Sequence, residues 1–187
     1  MSLEPTTDSV NIRVRHMRSA DLEAVVALDH ASFTLPWPAR SYRFELFENP
    51  SSLLYVAEIP PQDGAAGQVV GVIVIWLIID EAHVATIAVD PELRGRAIGR
   101  QLLSTALSEA IQRGAQSATL EVRRHNLPAQ ALYRRFRFEV VGQRPRYYQD
   151  NHEDALIMTV SGLDASYLEW LESGGWRSAP RTPPAGE

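Results

Sequence analysis

Apolar positions along the chain switch between a period of two and a period near 3.6, and the switches mark out its elements. Within residues 11–16, Ile12, Val14 and His16 alternate with arginines, which predicts a first strand. Ser19 is a good N-cap for a helix with Asp21 and Glu23 in its first turn and Leu22, Val25 and Val26 on one face, ending near His30. Two prolines bracket Trp37 and make 33–38 a loop, and a second short helix follows to about Phe47. Strands are predicted over 53–59, 68–79 and 83–89, separated by a hairpin-type loop at 60–67 and a turn at Asp80-Glu81. Helical spacing returns with Ile98, Leu102, Ala106, Ala110 and with Leu103, Leu107, Ile111, and Gly114 is the expected stop. A strand at 118–123 precedes a helix capped by Asn126, with Pro128 in its first turn and Ala129, Leu132, Tyr133 and Phe136 on one face. Two last strands fall near 139–143 and 155–160.

This order implies an α/β (α+β) fold. Strand, helix and strand across 83–123 require a parallel pair with a crossover, whereas the remaining strands can pair antiparallel, giving a mixed, mostly antiparallel central sheet with flanking helices. One domain is expected over 10–161. Residues 1–9 read as a disordered tail, 162–176 as a C-terminal extension with a short helix carrying Tyr167, Leu168, Trp170 and Leu171, and 177–187 as a disordered proline-rich tail. The extension reads as a helix packed on its own domain, with a groove cover or a partner contact as the alternatives.

Composition narrows the function. The chain has 187 residues, ordinary proportions of hydrophobic (45%) and charged (22%) residues, and a net charge of −5, which argues against a general nucleic-acid binder. Its longest apolar run, 69–79, is too short to span a bilayer, and no signal peptide is visible, so the cytoplasm is the default compartment and no membrane partner is expected. The absence of cysteine removes thiolate metal sites and any cysteine acyl-enzyme. The five histidines have no metal-ligand spacing, and no metal is expected.

The stretch V-D-P-E-L-R-G-R-A-I-G-R-Q-L-L, 89–103, carries the strongest chemical signal. It reads as strand, turn and helix. Arg94, Gly95, Arg96, Ala97, Ile98, Gly99 and Arg100 bring positive charge and small side chains to a helix N-terminus, whose free N–H groups and dipole favour an anion such as a pyrophosphate. The spacings of a nucleoside-triphosphate loop, a dinucleotide loop and a serine-hydrolase elbow are all missing. A strand-to-helix turn with solvated arginines is the plainer alternative.

The spacing R-x-x-A-x-G resembles the R/Q-x-x-G-x-G/A acyl-CoA loop of the GNAT superfamily of N-acetyltransferases. Further motifs follow in order: F-x-x-P-W ending at Trp37, L-E-V-R-R-H-N from Leu120, A-L-Y-R-R-F-R-F from Ala131, R-Y-Y from Arg146 and E-D-A-L-I-M from Glu153. Together they are similar to the bacterial ribosomal-protein-alanine N-acetyltransferases, a GNAT branch that acetylates protein N-termini. The resemblance implies a GNAT fold whose parallel strands splay at the acyl-CoA site, and acetyl-CoA as co-substrate. It implies that Ile87, Ala88 and Val89 run beside the pantetheine arm and that Asn126 touches the cofactor. Glu121 becomes the general base and Tyr133 the general acid, with Trp37, Tyr147 and Tyr148 in a groove for a protein or peptide N-terminus.

Each residue also has a structural alternative. Glu121 faces away from Leu120 and Val122 and could be a solvated carboxylate paired to an arginine; Tyr133 could be a core aromatic, Asn126 only a cap, and Trp37 part of a buried patch. A base is needed because an α-amine with a pKa near 8 is only about a tenth neutral at pH 7. Acetylation of a small-molecule amine, or acyl-CoA binding without turnover, are the competing functions, and monomer and homodimer both stay open. Two residues depart from the family pattern. Ala97 and Arg137 stand where glycine is usual, each with a cost of roughly 1–2 kcal/mol if its backbone is left-handed.

Overall fold

Seven strands form one sheet among the residues that the computed structural model describes, 11–61 and 67–178. The elements are β1 (Arg13–His16), α1 (Leu22–Ser32), α2 (Ala39–Phe47), β2 (Ser52–Ile59), β3 (Gln68–Ile78), β4 (Glu81–Val89), α3 (Ile98–Gln112), β5 (Ser117–Arg123), α4 (Leu127–Arg135), β6 (Glu139–Arg144), β7 (Ala155–Ser161), α5 (Ala165–Glu172) and α6 (Gly175–Ser178). The spatial order is β1-β2-β3-β4-β5-β7-β6, antiparallel throughout except for the parallel pair β4–β5. The expected 1–9 tail, most of the 60–67 loop and the end of the proline-rich tail lie outside the described residues. None of the described helices is long and apolar enough to cross a membrane.

Alternation along the strands sorts side chains into two cores. Leu53, Tyr55, Ala57, Ile73 and Ile75 face α3, α4 and α5, while Leu54, Val56, Val72 and Val74 face α1 and α2. On α3, Ile98, Leu102, Leu103 and Leu107 are almost completely buried, and burial of each is worth about 1.5–3 kcal/mol. The helix comes close to the sheet at Gly71, where a Cβ would stand 2.9 Å from Leu102 Cδ1 and 3.3 Å from Ala57 Cβ. Tyr167, Leu171 and Trp176 of the C-terminal extension are buried in the α3-side core, and the Tyr167 hydroxyl donates to the Phe136 carbonyl at 2.6 Å.

Two expected boundaries change. The turn before β4 falls at Ile79-Asp80, and Glu81, expected in that turn, already pairs with Ser117 as the first residue of the strand expected from 83. Ser19 does not cap the first helix; a 3-10 turn covers Ser19–Asp21, and α1 begins afterwards and continues to Ser32. Asp21 is held by its neighbours: its carboxylate accepts the Arg18 N–H at 2.7 Å and both terminal nitrogens of Arg15 at 2.7 and 2.9 Å. That pairing tightens the first turn, a competition invisible to local helix signals.

The sheet is interrupted where it matters most. β3 pairs β4 with a register shift, Val74 opposite Thr86 and Ile75 opposite Val84, so Ala85 is the extra residue of a bulge. β4 and β5 pair only through Glu81–Ser117, Ala82–Ala118 and His83–Thr119. Beyond those positions the two strands part, and a fork opens between them.

Candidate active site

The fork is built from the C-terminal halves of β4 and β5, and the anion-type loop follows directly from β4. Asp90 takes its backbone N–H to the Val70 carbonyl (2.9 Å), and its carboxylate caps the turn by accepting the Glu92 N–H (2.9 Å). Arg94, Gly95 and Arg96 are exposed. Gly95 has φ +82°, and nothing lies within 4 Å of the position its Cβ would take, so the main chain is open to a guest there. Ala97 is left-handed (φ 64°, ψ 8°), and its carbonyl receives the Gln101 N–H at 3.1 Å to start α3. The strain foreseen at this alanine, and at Arg137 with φ 63°, is therefore present in the backbone. Ile98 is buried, so only its main chain can serve a ligand. At Gly99 a Cβ would meet Leu132 of α4 (3.5 Å), Val89 (3.7 Å) and Ile87 (3.9 Å), which brings the loop, β4 and α4 to one place. Ile87 and Val89 pack their side chains against the α3-side core, and Ala88 is buried in the other.

Glu121 lies two residues past Thr119, the last β5 residue paired with β4, and stays paired with β7 opposite Ile157. Because Leu120 and Val122 are buried on the α3 side, Glu121 faces the other way, toward α1 and α2. Its carboxylate is largely shielded, with 14% of the side chain exposed, and two side chains reach it: Arg144, with Nη2 3.1 Å from Oε1, and His83, with Nε2 3.3 Å from Oε2. The expected arginine is thus found, on β6 and across β7. Tyr133 enters from the α3-side core on α4. Burial, and secondarily the nearby Tyr148, pushes its phenol above the ordinary range, so it keeps its proton at neutral pH.

Tyr148 connects these two groups. Burial pushes its phenol up to about 12 against the opposing Arg123, and it feels both Glu121 and Tyr133 electrostatically. The Arg123 guanidinium lies 3.9 Å from the Tyr148 ring centroid and is tied to Asp150 (2.7 Å) and Glu153 (3.2 Å). Thr34, from the loop after α1, donates to Asp150 at 2.5 Å, so two loops close over this end of the fork. Tyr147 meets Tyr148 edge-on at 5.2 Å and is 45% exposed.

Trp37 is positioned by buried Asp29, which accepts its N–H at 2.6 Å and the Tyr42 hydroxyl at 2.7 Å. It stacks on Trp76 (6.1 Å, 18°), and Trp76 stacks on His83 (5.5 Å, 14°). An aromatic row thus runs from Trp37 to Glu121. Asn126 caps α4 by accepting the Ala129 N–H at 3.2 Å.

His83, Trp76 and Asp150 carried no signal in the sequence. Their roles arise from pairing between distant segments, and only the apolar neighbours of Trp76 were legible. A separate concavity of about 750 Å³, walled by His16, Tyr55, Ser104, Glu109 and Trp176 among others, contains none of the expected site residues. The fork is a slot between strands rather than an enclosed chamber, and it is the fork that brings Glu121 and His83 together beside the arginine-rich loop. Among the described residues no group of three His, Asp or Glu side chains is arranged to hold a metal.

Comparison with known proteins agrees with this geometry. A profile of the acetyltransferase (GNAT) family matches residues 22–138. A Bacillus subtilis protein provisionally named a ribosomal-protein-bS18-alanine N-acetyltransferase is 40% identical over 148 residues, 79% of this chain and 94% of that one. The Salmonella typhimurium enzyme named for the same activity is 31% identical, covering 77% of this chain and 93% of its own. The crystal structure of the Escherichia coli ribosomal-protein-S18-alanine N-acetyltransferase superimposes with a TM-score of 0.70 at 27% identity, over 81% of this chain and 94% of that one. The forked sheet, the arginine-rich loop at the head of α3 and these matches lead to one statement: the chain belongs to the GNAT family and is an acetyltransferase.

Proposed function

We propose that the protein transfers acetyl from acetyl-CoA to the N-terminal α-amine of a protein, of the ribosomal-protein-alanine type, in the cytoplasm and by direct attack in a ternary complex. The observation that carries this reading is Glu121, a shielded carboxylate in the fork with a buried, protonated Tyr133 approaching from the opposite face. The names of the relatives supply the acceptor class.

In this reading Arg94, Arg96 and Arg100, with the N–H groups of Gly95 to Gly99, hold the pyrophosphate, and Asn126 borders it. The open backbone at Gly95 and the helix N-terminus suit such an anion. The main chain at Ile87, Ala88 and Val89 lies along the acyl arm, and one of its N–H groups stabilises the oxyanion. Trp37, Tyr147 and Tyr148 line the acceptor groove. Glu121 takes a proton from the amine, directly or through a water, as nitrogen bonds to the thioester carbon. The C–S bond then breaks and Tyr133 protonates the sulfur. Proton exchange between Glu121 and Tyr133 through solvent restores both groups.

The test is an intact-mass assay with acetyl-CoA and peptides that vary the first residue and carry internal lysines. Acetyl on the α-amine of alanine- or serine-starting peptides is expected; transfer only to small amines overturns the acceptor assignment. Full kcat/KM across pH in Glu121→Gln would remove the base, and the same result in Tyr133→Phe would remove the acid.

A further inference from the structure

His83 stands at the vertex of the fork, the last β4 residue paired with β5, and its Nε2 lies 3.3 Å from the Glu121 carboxylate. It is 21% exposed on its side chain and is fixed from behind. Trp76 of β3 stacks on the imidazole nearly parallel, and the Trp76 indole N–H is itself anchored to Glu45 of α2 at 3.0 Å. Glu45 is buried and also accepts Asn49 Nδ2 at 2.8 Å, so the row has a firm end. A ring held this way has one edge committed to the fork. On the other carboxylate oxygen, Arg144 is 55% exposed and approaches from the rim.

We infer that His83 is a positioning residue for Glu121. Its Nε2–H serves as donor to Oε2, while Arg144 serves Oε1, so that the carboxylate plane is set and its remaining lone pairs face the amine. The contact has ion-pair distance in the free protein, and catalytic hydrogen bonds of this kind tighten in the substrate complex. The contacts of His83 are with Glu121 and Trp76, so in this role it acts through Glu121. The inference therefore rests on the base assignment made above for Glu121. The energetic reason is orientation: a base held by one exposed arginine samples several rotamers, whereas a second, stacked donor leaves one.

Two variants separate the donor from the stacking ring. His83→Phe keeps an aromatic surface for Trp76 but has no donor, and His83→Gln restores an amide N–H near Nε2. Steady-state kinetics with acetyl-CoA and a peptide acceptor should give a kcat about tenfold lower in His83→Phe. That is a fraction of the roughly 10²–10⁴ supplied by general-base catalysis. KM for acetyl-CoA should be unchanged, and His83→Gln should recover most of the loss. In parallel, ring-nitrogen NMR of the wild-type protein at pH 8 should show the Nε2–H tautomer of His83, a readout that needs no turnover. A Nδ1–H tautomer, or a His83→Phe kcat equal to wild type, overturns the inference while leaving the base assignment intact if Glu121→Gln is impaired. Full activity in Glu121→Gln sinks both.

Discussion

Replacing Ala97 with glycine should stabilise the protein. Ala97 is the residue before α3 and sits at φ 64°, ψ 8°, with its carbonyl engaged by Gln101 and no side-chain cap of its own. A Cβ in this left-handed region costs about 1–2 kcal/mol through its clash with the following carbonyl. Glycine removes that clash but gives the unfolded chain extra freedom, worth about 0.4–1 kcal/mol in the opposite direction. The balance favours the variant by about 0.5–1 kcal/mol, or about 1–4 °C in Tm for a chain of this length. Thermal and urea unfolding, with the urea m-value unchanged, measure it. Arg137 offers an internal control, since its φ of 63° carries the same strain but its guanidinium stacks 4.3 Å from the Trp170 ring centroid. Losing that cation–π contact, worth about 0.5–1 kcal/mol at a surface, offsets the relief, so Arg137→Gly should be close to neutral. An Ala97→Gly protein no more stable than wild type would refute the strain account.

Three further perturbations follow from the packing and the charges. Gly71→Ala places a methyl 2.9 Å from Leu102 Cδ1 and should destabilise by about 1–3 kcal/mol; Leu102→Ala should cost about 2–5 kcal/mol. The double variant should lose less than the sum, because the new methyl occupies part of the space vacated, and an additive urea result would contradict the contact. Ile79 has φ 60° and is 96% exposed, so Ile79→Asn should raise Tm with activity untouched, asparagine being the better left-handed residue. The Glu153 carboxyl is held down to about 2 from an ordinary 4.5, chiefly by the His125 backbone N–H and then by Asn151, Arg123 and the His125 ring, against its burial. With the folded value depressed, this contribution is complete above about pH 4.5 and is lost as pH falls toward 2. Urea midpoints from pH 6 to pH 3 should fall, and Glu153→Gln should start lower and vary less.

Local patterning was a good guide wherever one segment decides its own conformation. The strands were readable because Leu53, Tyr55 and Ala57 alternate with Leu54 and Val56, and α3 because its apolar stripe runs unbroken to Gly114. The left-handed positions at Ala97 and Arg137 were readable from the glycines they replace. Glu121 was readable as the residue facing away from the α3-side core. What escaped depends on partners far along the chain. Ser19 has every local mark of a cap, yet Arg15 holds Asp21 and decides the turn. His83 looks like any strand histidine until the β4–β5 register sets it beside Glu121. The bulge at Ala85 and the early end of pairing after His83–Thr119 also come from the meeting of strands, and no single segment encodes them.

The fork gives the sheet two open strand edges in its middle. Open edges usually lie at the rim, where unpaired N–H and C=O groups can recruit a strand from a second molecule and begin aggregation. At this rim one side is β1, four residues long with Arg13 and Arg15, a poor template for that event. The inner edges, on β4 and β5, are screened by the helices on both faces and by the loops that meet through Thr34 and Asp150. Their unpaired N–H and C=O groups therefore face into the molecule, where a strand from a second molecule has no rim along which to dock. The hydrogen-bonding capacity of an unfinished sheet is thereby kept inside the molecule, and protection against self-association comes from the same arrangement that opens the fork.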